Sequence, residues 1–406
     1  MFAMALLSVQ VTAARQAVPS QPSARYVILF GFGGEFVKLD TSTAVVVERG
    51  AVARIEGVAA HLSSQLPADA NSAEPWLAHE VVSDIGQERL YLAVPRMGAD
   101  GQEFIVLSVS VPVFKLQGVI SVTARPTLVL DRDHRRLLVS YVDPADANRV
   151  IGRLNVHDTV DLSRLHTFSD ETTVARFERG EETPASLLSP GASMAPGGNV
   201  IVDGLRKITV SSEKLAVESI NVASLLTSSQ QQTLAPFYQR DQASGQQWLP
   251  YSFAGSAGGR AVFIVASPQS REMALLTVDA IAARVIAVAV VPIGHVRITS
   301  DGAVAIVDCI ERRTGPKSTA ASPIEKPGRL VRIDLGTGTS IDEVVDPSLA
   351  GGIDHGVVCV GSANDPVVYA AGDSLKIIRF GDAPQVTSSE TTFRSALRAK
   401  CGWSVR

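Results

Sequence analysis

Three of the seven histidines stand directly ahead of, or at the start of, short apolar runs, and two of them have a carboxylate neighbour. The segments read His79-Glu80-Val81-Val82-Ser83, His295-Val296-Arg297-Ile298-Thr299 and Asp354-His355-Gly356-Val357-Val358. Imidazoles and carboxylates gathered at one place can hold a divalent or transition metal, or move a proton as general acid and base. Arg125 and Lys400 complete the charged candidates. None of these residues shows the close spacing of a zinc-binding helix, so only a fold that returns the chain repeatedly to one place could unite them.

A recurring pattern supplies such a fold. Val81-Val82-Ser83 is followed by the turn Asp84-Ile85-Gly86 and then by Arg89-Leu90-Tyr91-Leu92. Leu128-Val129-Leu130 leads through Asp131-Arg132-Asp133 into Arg136-Leu137-Leu138-Val139, and Val296 to Thr299 leads through Ser300-Asp301-Gly302 into Val304-Ala305-Ile306-Val307. Looser copies surround Pro196-Gly197-Gly198, Ser256-Ala257-Gly258-Gly259 and Ser362-Ala363-Asn364-Asp365. An apolar run, a tight polar turn and a second apolar run form a β-hairpin, and regular recurrence marks a repeat architecture.

The turns recur every ~45 to 65 residues, which leaves room for four strands per unit. Third strands read Glu35 to Asp40, Glu103 to Leu107, Met273 to Asp279, Leu330 to Asp334 and Leu375 to Phe380, and fourth strands include Thr43 to Val47 and Val285 to Val291. A helical period is visible only over about Val52 to Gln65. Four antiparallel strands repeated around a ring make a β-propeller. Six hairpin units are complete, and Arg25 to Gly31 reads as a second strand with no first strand before it. An open ring would expose a sheet edge, and the tail around Trp403 is placed to supply the missing innermost strand. The expected fold is therefore all-β: a seven-bladed propeller over residues 23–406, its termini sharing one blade.

The 406 residues are 46% hydrophobic and 19% charged, the composition of a packed body rather than a disordered chain. With 37 basic against 41 acidic side chains the net charge is -4, which gives no footprint for nucleic acid. No apolar run is long enough for a membrane helix, and a monomer is expected. Residues 1–22 resemble the back half of a secretory signal peptide, though a basic first region is missing, so a loosely packed tail is the other reading. A periplasmic or secreted location follows from the first reading, and a cytoplasmic one from the second. The three cysteines, Cys309, Cys359 and Cys401, have no CxxCH or paired CxxC spacing, which argues against covalent haem and a zinc site. Cys359 and Cys401 fall in the innermost strands of adjacent blades, where they are either free buried thiols or a bond that locks the ring.

Strands such as Leu330 to Asp334, followed by Gly336-Thr337-Gly338, resemble the seven-bladed propellers of the YVTN and amine-dehydrogenase-like type. The Trp-Asp dipeptide of WD40 blades is absent. The resemblance implies the fold, and because that family spans lactonase-like enzymes, dehydrogenase subunits and surface proteins, it implies no single activity.

In a propeller the innermost strands all begin at one mouth of the central channel. That would place His79, His295 and His355 there in blades 2, 6 and 7, with Lys400 in blade 1 and Glu80 and Asp354 beside their histidines. The plainer reading is a polar rim where strands start at the solvent. Gly31-Phe32-Gly33-Gly34 leads into a strand rather than a helix and is a hairpin turn, not a phosphate loop. Ser256 lacks the preceding glycine spacing of a nucleophile elbow. The long connections Cys309 to Pro327, Ser169 to Pro190 and Thr227 to Pro250 could cover a channel or dock a partner, the last carrying Phe237, Tyr238 and Trp248. Two functions are open. One is a non-catalytic propeller that binds a protein or small-molecule ligand at its channel mouth. The other is a lyase or hydrolase, with or without a divalent metal, using His79, His295 and His355 with Glu80, Asp354 or Arg125.

Overall fold

β-Branched and aliphatic residues fill the runs between the turns, and in the protein, a computed structural model, they pair into seven four-stranded antiparallel sheets. The structure describes residues 25–31, 34–62, 78–98, 101–146, 148–240, 247–266, 271–309, 328–349, 357–371, 374–392 and 400–404. The chain opens in blade 1 with β1 (Tyr26–Phe30), β2 (Glu35–Asp40) and β3 (Val45–Ala51). Blade 2 is β4 (Glu80–Asp84), β5 (Arg89–Gly98), β6 (Gly101–Ser110) and β7 (Lys115–Val122). Blade 3 is β8 (Thr127–Asp131), β9 (Arg136–Asp146), β10 (Arg149–Asp158) and β11 (Arg164–Thr173). The smaller blade 4 is β12 (Ser193–Met194), β13 (Val200–Asp203), β14 (Arg206–Val210) and β15 (Leu215–Ser219), and a two-stranded ribbon, β16 (Gln239–Arg240) and β17 (Gln247–Trp248), follows it. Blade 5 is β18 (Tyr251–Ala257), β19 (Arg260–Ala266), β20 (Glu272–Asp279) and β21 (Arg284–Pro292). Blade 6 is β22 (Gly294–Ile298), β23 (Val304–Cys309), β24 (Gly328–Asp334) and β25 (Ser340–Asp346). Blade 7 is β26 (Val357–Cys359), β27 (Val367–Ala371), β28 (Ser374–Arg379) and β29 (Gln385–Thr392), and β30 (Lys400–Ser404) returns to blade 1.

Most second and third strands, such as β2, β5, β19, β20 and β23, are buried on both faces, which explains why they read as continuous apolar runs, whereas β10, β14 and β24 alternate. Along β5, Leu90, Leu92 and Val94 face blade 1, while Tyr91 and Ala93 face blade 3. Each of the seven blade interfaces holds its own hydrophobic cluster, so the core is a ring of seven layers. Arginines stitch neighbouring blades at the turns. Arg136 reaches the Gly198 carbonyl, Arg260 donates to Gly302 O at 2.9 Å, and Arg332 donates to Ala363 O at 3.1 Å. Arg379 crosses from blade 7 to the Thr41 and Ser42 carbonyls of blade 1.

The turns between third and fourth strands share one device. Asp40, Asp158, Asp279 and Asp334 each accept a backbone N–H two residues on through their own carboxylates. The fifth residue of the turn is left-handed: Ala44, Leu162, Ala283 and Gly338 have φ of 61°, 60°, 47° and 74°. Asp side chains favour such turns because they replace a backbone acceptor locally.

Closure follows the expected route. β30 pairs antiparallel with β1 from Tyr26 opposite Ser404 to Phe30 opposite Lys400. Trp403 is 6% exposed, packs against Val27, Leu29 and Cys359, and donates its backbone N–H to Ser83 Oγ at 2.8 Å. Cys359 of β26 and Cys401 of β30 form a disulfide with a Cα–Cα separation of 5.9 Å, while Cys309 is free. The bond therefore joins blade 7 to blade 1 at the seam.

Some expectations are corrected in detail. Over residues 52–62 the helical reading of Val52 to Gln65 divides into a 3-10 turn, Val52–Arg54, and α1 (Ala59–Leu62), with Val52, Ile55, Val58 and Leu62 packed in the cluster between blades 1 and 2, while residues 63–65 lie outside the described residues. The connection expected from Ser169 starts later, since β11 continues to Thr173 before α2 (Val174–Glu178). The segment from Thr227 follows α3 (Val222–Leu225) and contains α4 (Ser228–Leu234), whose first turn carries a Thr227 and Gln230 capping box, and Phe237 is core rather than a channel cover. Residues 1–22 and 310–327 lie outside the described residues.

The disulfide generates two readouts. Thiol titration of the denatured, unreduced protein should find one reactive cysteine, and three after reduction. Cross-linking a loop with a sequence separation of 42 residues should add about 4 kcal/mol in the chain-entropy model. A Cys401→Ala variant should therefore melt about 5 °C lower, and an unchanged melting temperature would show that the bond does not hold the seam.

Candidate functional site

The first strand of every blade runs the same way beside the axis, so the innermost strands bring their first residues to one mouth of the channel. Glu80 opens β4 and Lys400 opens β30, on neighbouring blades. Arg125 lies in the connection that leads into β8. His79 precedes β4 and is anchored by its N–H to Ala93 O at 2.8 Å. These four side chains form one electrostatic group: Arg125 and Lys400 act on both His79 and Glu80.

Burial dominates the chemistry of this group. It pushes the Glu80 carboxyl up to about 7, against the opposing pull of the Leu128 N–H and the Lys400 and Arg125 charges. Lys400 is held below its ordinary value by burial and by the repulsion of Arg125 and Arg297, with Glu80 acting the other way. The His79 imidazole is also lowered, by burial first and then by Arg125 and Lys400, so it is neutral at pH 7. Its ring stands edge-on to Phe104, with centroids 5.2 Å apart, which packs it onto its own blade.

His295 is an exposed residue within β22, opposite Asp308 of β23, rather than ahead of the strand. The strand begins one residue earlier because Gly294 already pairs with Cys309. His355 and Asp354 lie outside the described residues. Among the described residues no three His, Cys, Asp or Glu side chains gather as a metal site would. Ser256 is occupied structurally: its hydroxyl lies 2.8 Å from Val202 O and 2.9 Å from Ser193 Oγ.

Below the mouth, the innermost strands of the seven blades enclose a cavity of about 540 Å³. Its lining includes Arg132, Arg297 and Lys400, two of which the sequence reading did not single out. All three are exposed to water, yet protein surrounds them closely enough that burial lowers each one's pKa. That combination is what a side chain standing in a narrow channel experiences. The legible signal was the charge itself: Arg297 interrupts the run Val296 to Ile298, and Arg132 sits in the Asp-Arg-Asp hairpin.

No protein-family model matches the chain, and no curated protein is similar to it. Among solved structures, a Bacteroides uniformis protein named for the 6-phosphogluconolactonases is 9% identical, with a TM-score of 0.49 over 93% of this chain and 99% of that one. AztD of Citrobacter koseri is 11% identical, with a TM-score of 0.46 over 94% of this chain and 98% of its own. The Dos1 propeller is 12% identical, with a TM-score of 0.41 over 92% and 86%. The chain is similar to these in fold alone. Its seven blades rest on its own strand pairing.

Glu80 gives a pH signature with a definite sign. Its folded value of about 7 lies above the ordinary carboxyl value, so its contribution to stability is full below about pH 4.5 and is lost as pH rises through 7. Between pH 5 and 8 the wild type should lose up to about 3 kcal/mol that a Glu80→Gln variant keeps. Urea unfolding at both pH values checks this, and parallel pH dependence in the two proteins would remove Glu80 as the cause.

Proposed function

We propose that the chain is an exported, monomeric propeller that binds a small molecule in its central channel and does no chemistry on it. The observation that carries this reading is the 540 Å³ cavity walled by the innermost strands of all seven blades, a volume suited to a small ligand. Lys400 links that cavity to the group it forms with His79, Glu80 and Arg125. A partner protein docking over that mouth is the other form of the same reading. Export is supported by the Cys359–Cys401 bond, since structural disulfides persist in oxidising compartments. Among the described residues no helix is long and apolar enough to cross a membrane.

One observation favours a second reading, an acid/base lyase or hydrolase. A carboxyl poised at about 7 at a channel mouth, between two cations, is suited to giving and taking a proton. Glu80 would move the proton while Arg125 and Lys400 hold an anionic group of the substrate. A metal on His79, His295 and His355 belongs to this reading as well, although the packing of His79 on Phe104 supports its proton-transfer form better.

A thermal-shift screen of a small-molecule library separates these cases. Ser300 is exposed and lines the channel, so Ser300→Trp should obstruct it. At least one compound should raise the melting temperature of the wild type and lose that effect in Ser300→Trp. Shifts that persist in the variant would move the site elsewhere, and turnover of the bound compound that Glu80→Gln abolishes would favour the enzyme.

A further inference from the structure

The described lining of the 540 Å³ cavity contains three cationic side chains, Arg132, Arg297 and Lys400, and no carboxylate, whereas Asp131, Asp133 and Asp301 line the cavity that adjoins it at Arg132 and Ser300. Among the described residues, none of the three makes an ion pair. Arg132 donates to Ser83 O at 3.1 Å, and Arg297 donates to Val296 O at 3.2 Å, so backbone carbonyls take up part of their hydrogen bonding, while Asp84 and Asp133 act on Arg132, Asp308 on Arg297 and Glu80 on Lys400 through their charges, with no ion-pair contact among the described residues. Lys400 and Arg297 feel each other's charge, as do Lys400 and Arg125. Arg132 follows the last residue of β8, whereas Lys400 is the first residue of β30, so the cations are spread along the channel rather than bunched at one mouth. Low-dielectric walls lined with one sign of charge focus that potential and concentrate ions of the other sign.

The geometry points to a small organic anion with at least two negative groups as the ligand of this channel, one group held between Lys400 and Arg297 and another toward Arg132. This inference rests on the binding reading above and adds the chemical class to it. Carboxylate and phosphate groups share the required chemistry, with guanidinium groups offering paired donors to either. Ser300 lines the same space and is exposed to meet the ligand's neutral polar atoms.

Calorimetric titration of the intact protein with succinate, citrate, fructose 1,6-bisphosphate and inorganic phosphate, at constant ionic strength and with glycerol as the neutral control, tests the assignment. At least one organic dianion should bind more tightly than inorganic phosphate, and glycerol should not bind. The ranking of succinate and citrate against fructose 1,6-bisphosphate distinguishes carboxylate from phosphate. Lys400→Met and Arg297→Met should each weaken binding at least tenfold, while Lys214→Met on the exposed surface should not, with melting curves confirming that all three fold. Equal binding in wild type, Lys400→Met and Arg297→Met would overturn the assignment. If no anion binds while a neutral library compound does so in a Ser300-dependent way, the anionic class fails and the binding reading survives. If neither binds, both fall.

Discussion

The structure depends on one pairing of chain ends, β1 against β30. Without it, β1 would present a free edge in the first blade, and the cluster that joins blade 7 to blade 1 would lose Trp403 and Cys401. A propeller has no central core to fall back on, because every interface is one of seven equivalent layers. The seam is accordingly reinforced by three separate interactions: the backbone ladder, the Arg379 contacts to Thr41 and Ser42, and the disulfide.

The same ring geometry creates the channel. Wedge-shaped blades leave their innermost edges apart, and those edges must be lined by something. In this chain they are lined by serines, aliphatic residues and three cations, with a cavity left between them. Repulsion between Lys400 and its arginine neighbours is a standing cost to the fold, and the raised Glu80 carboxyl adds to it above neutral pH. Local disagreement with stability of this kind is characteristic of functional sites.

The fold was legible because its signals are local. Asp84, Asp131 and Asp334 mark turns, and runs such as Leu90 to Val94 mark strands buried on both faces. Even the seam could be read, because Arg25 to Gly31 lacked a partner and the tail around Trp403 supplied one. Helix boundaries were less legible, since α2 and α4 are too short to show a period. At the candidate site, sequence reasoning found Glu80, Arg125 and Lys400 but weighted histidine chemistry over charge. Which face of an innermost strand looks down the axis depends on blade tilt, a property of the assembled ring, so Arg132 and Arg297 emerged only from the structure.

Blade 4 is the thin point of the ring: its innermost strand, β12, has two residues and β13 has four. A covalent bridge at the seam removes the ends of the chain as a place where unzipping can begin. Local opening is thereby redirected to the far side of the circle, where the fewest ladder hydrogen bonds must break. The disulfide thus sets where the molecule breathes as well as how tightly it is held, and the side of the channel that yields first faces away from Glu80 and Lys400.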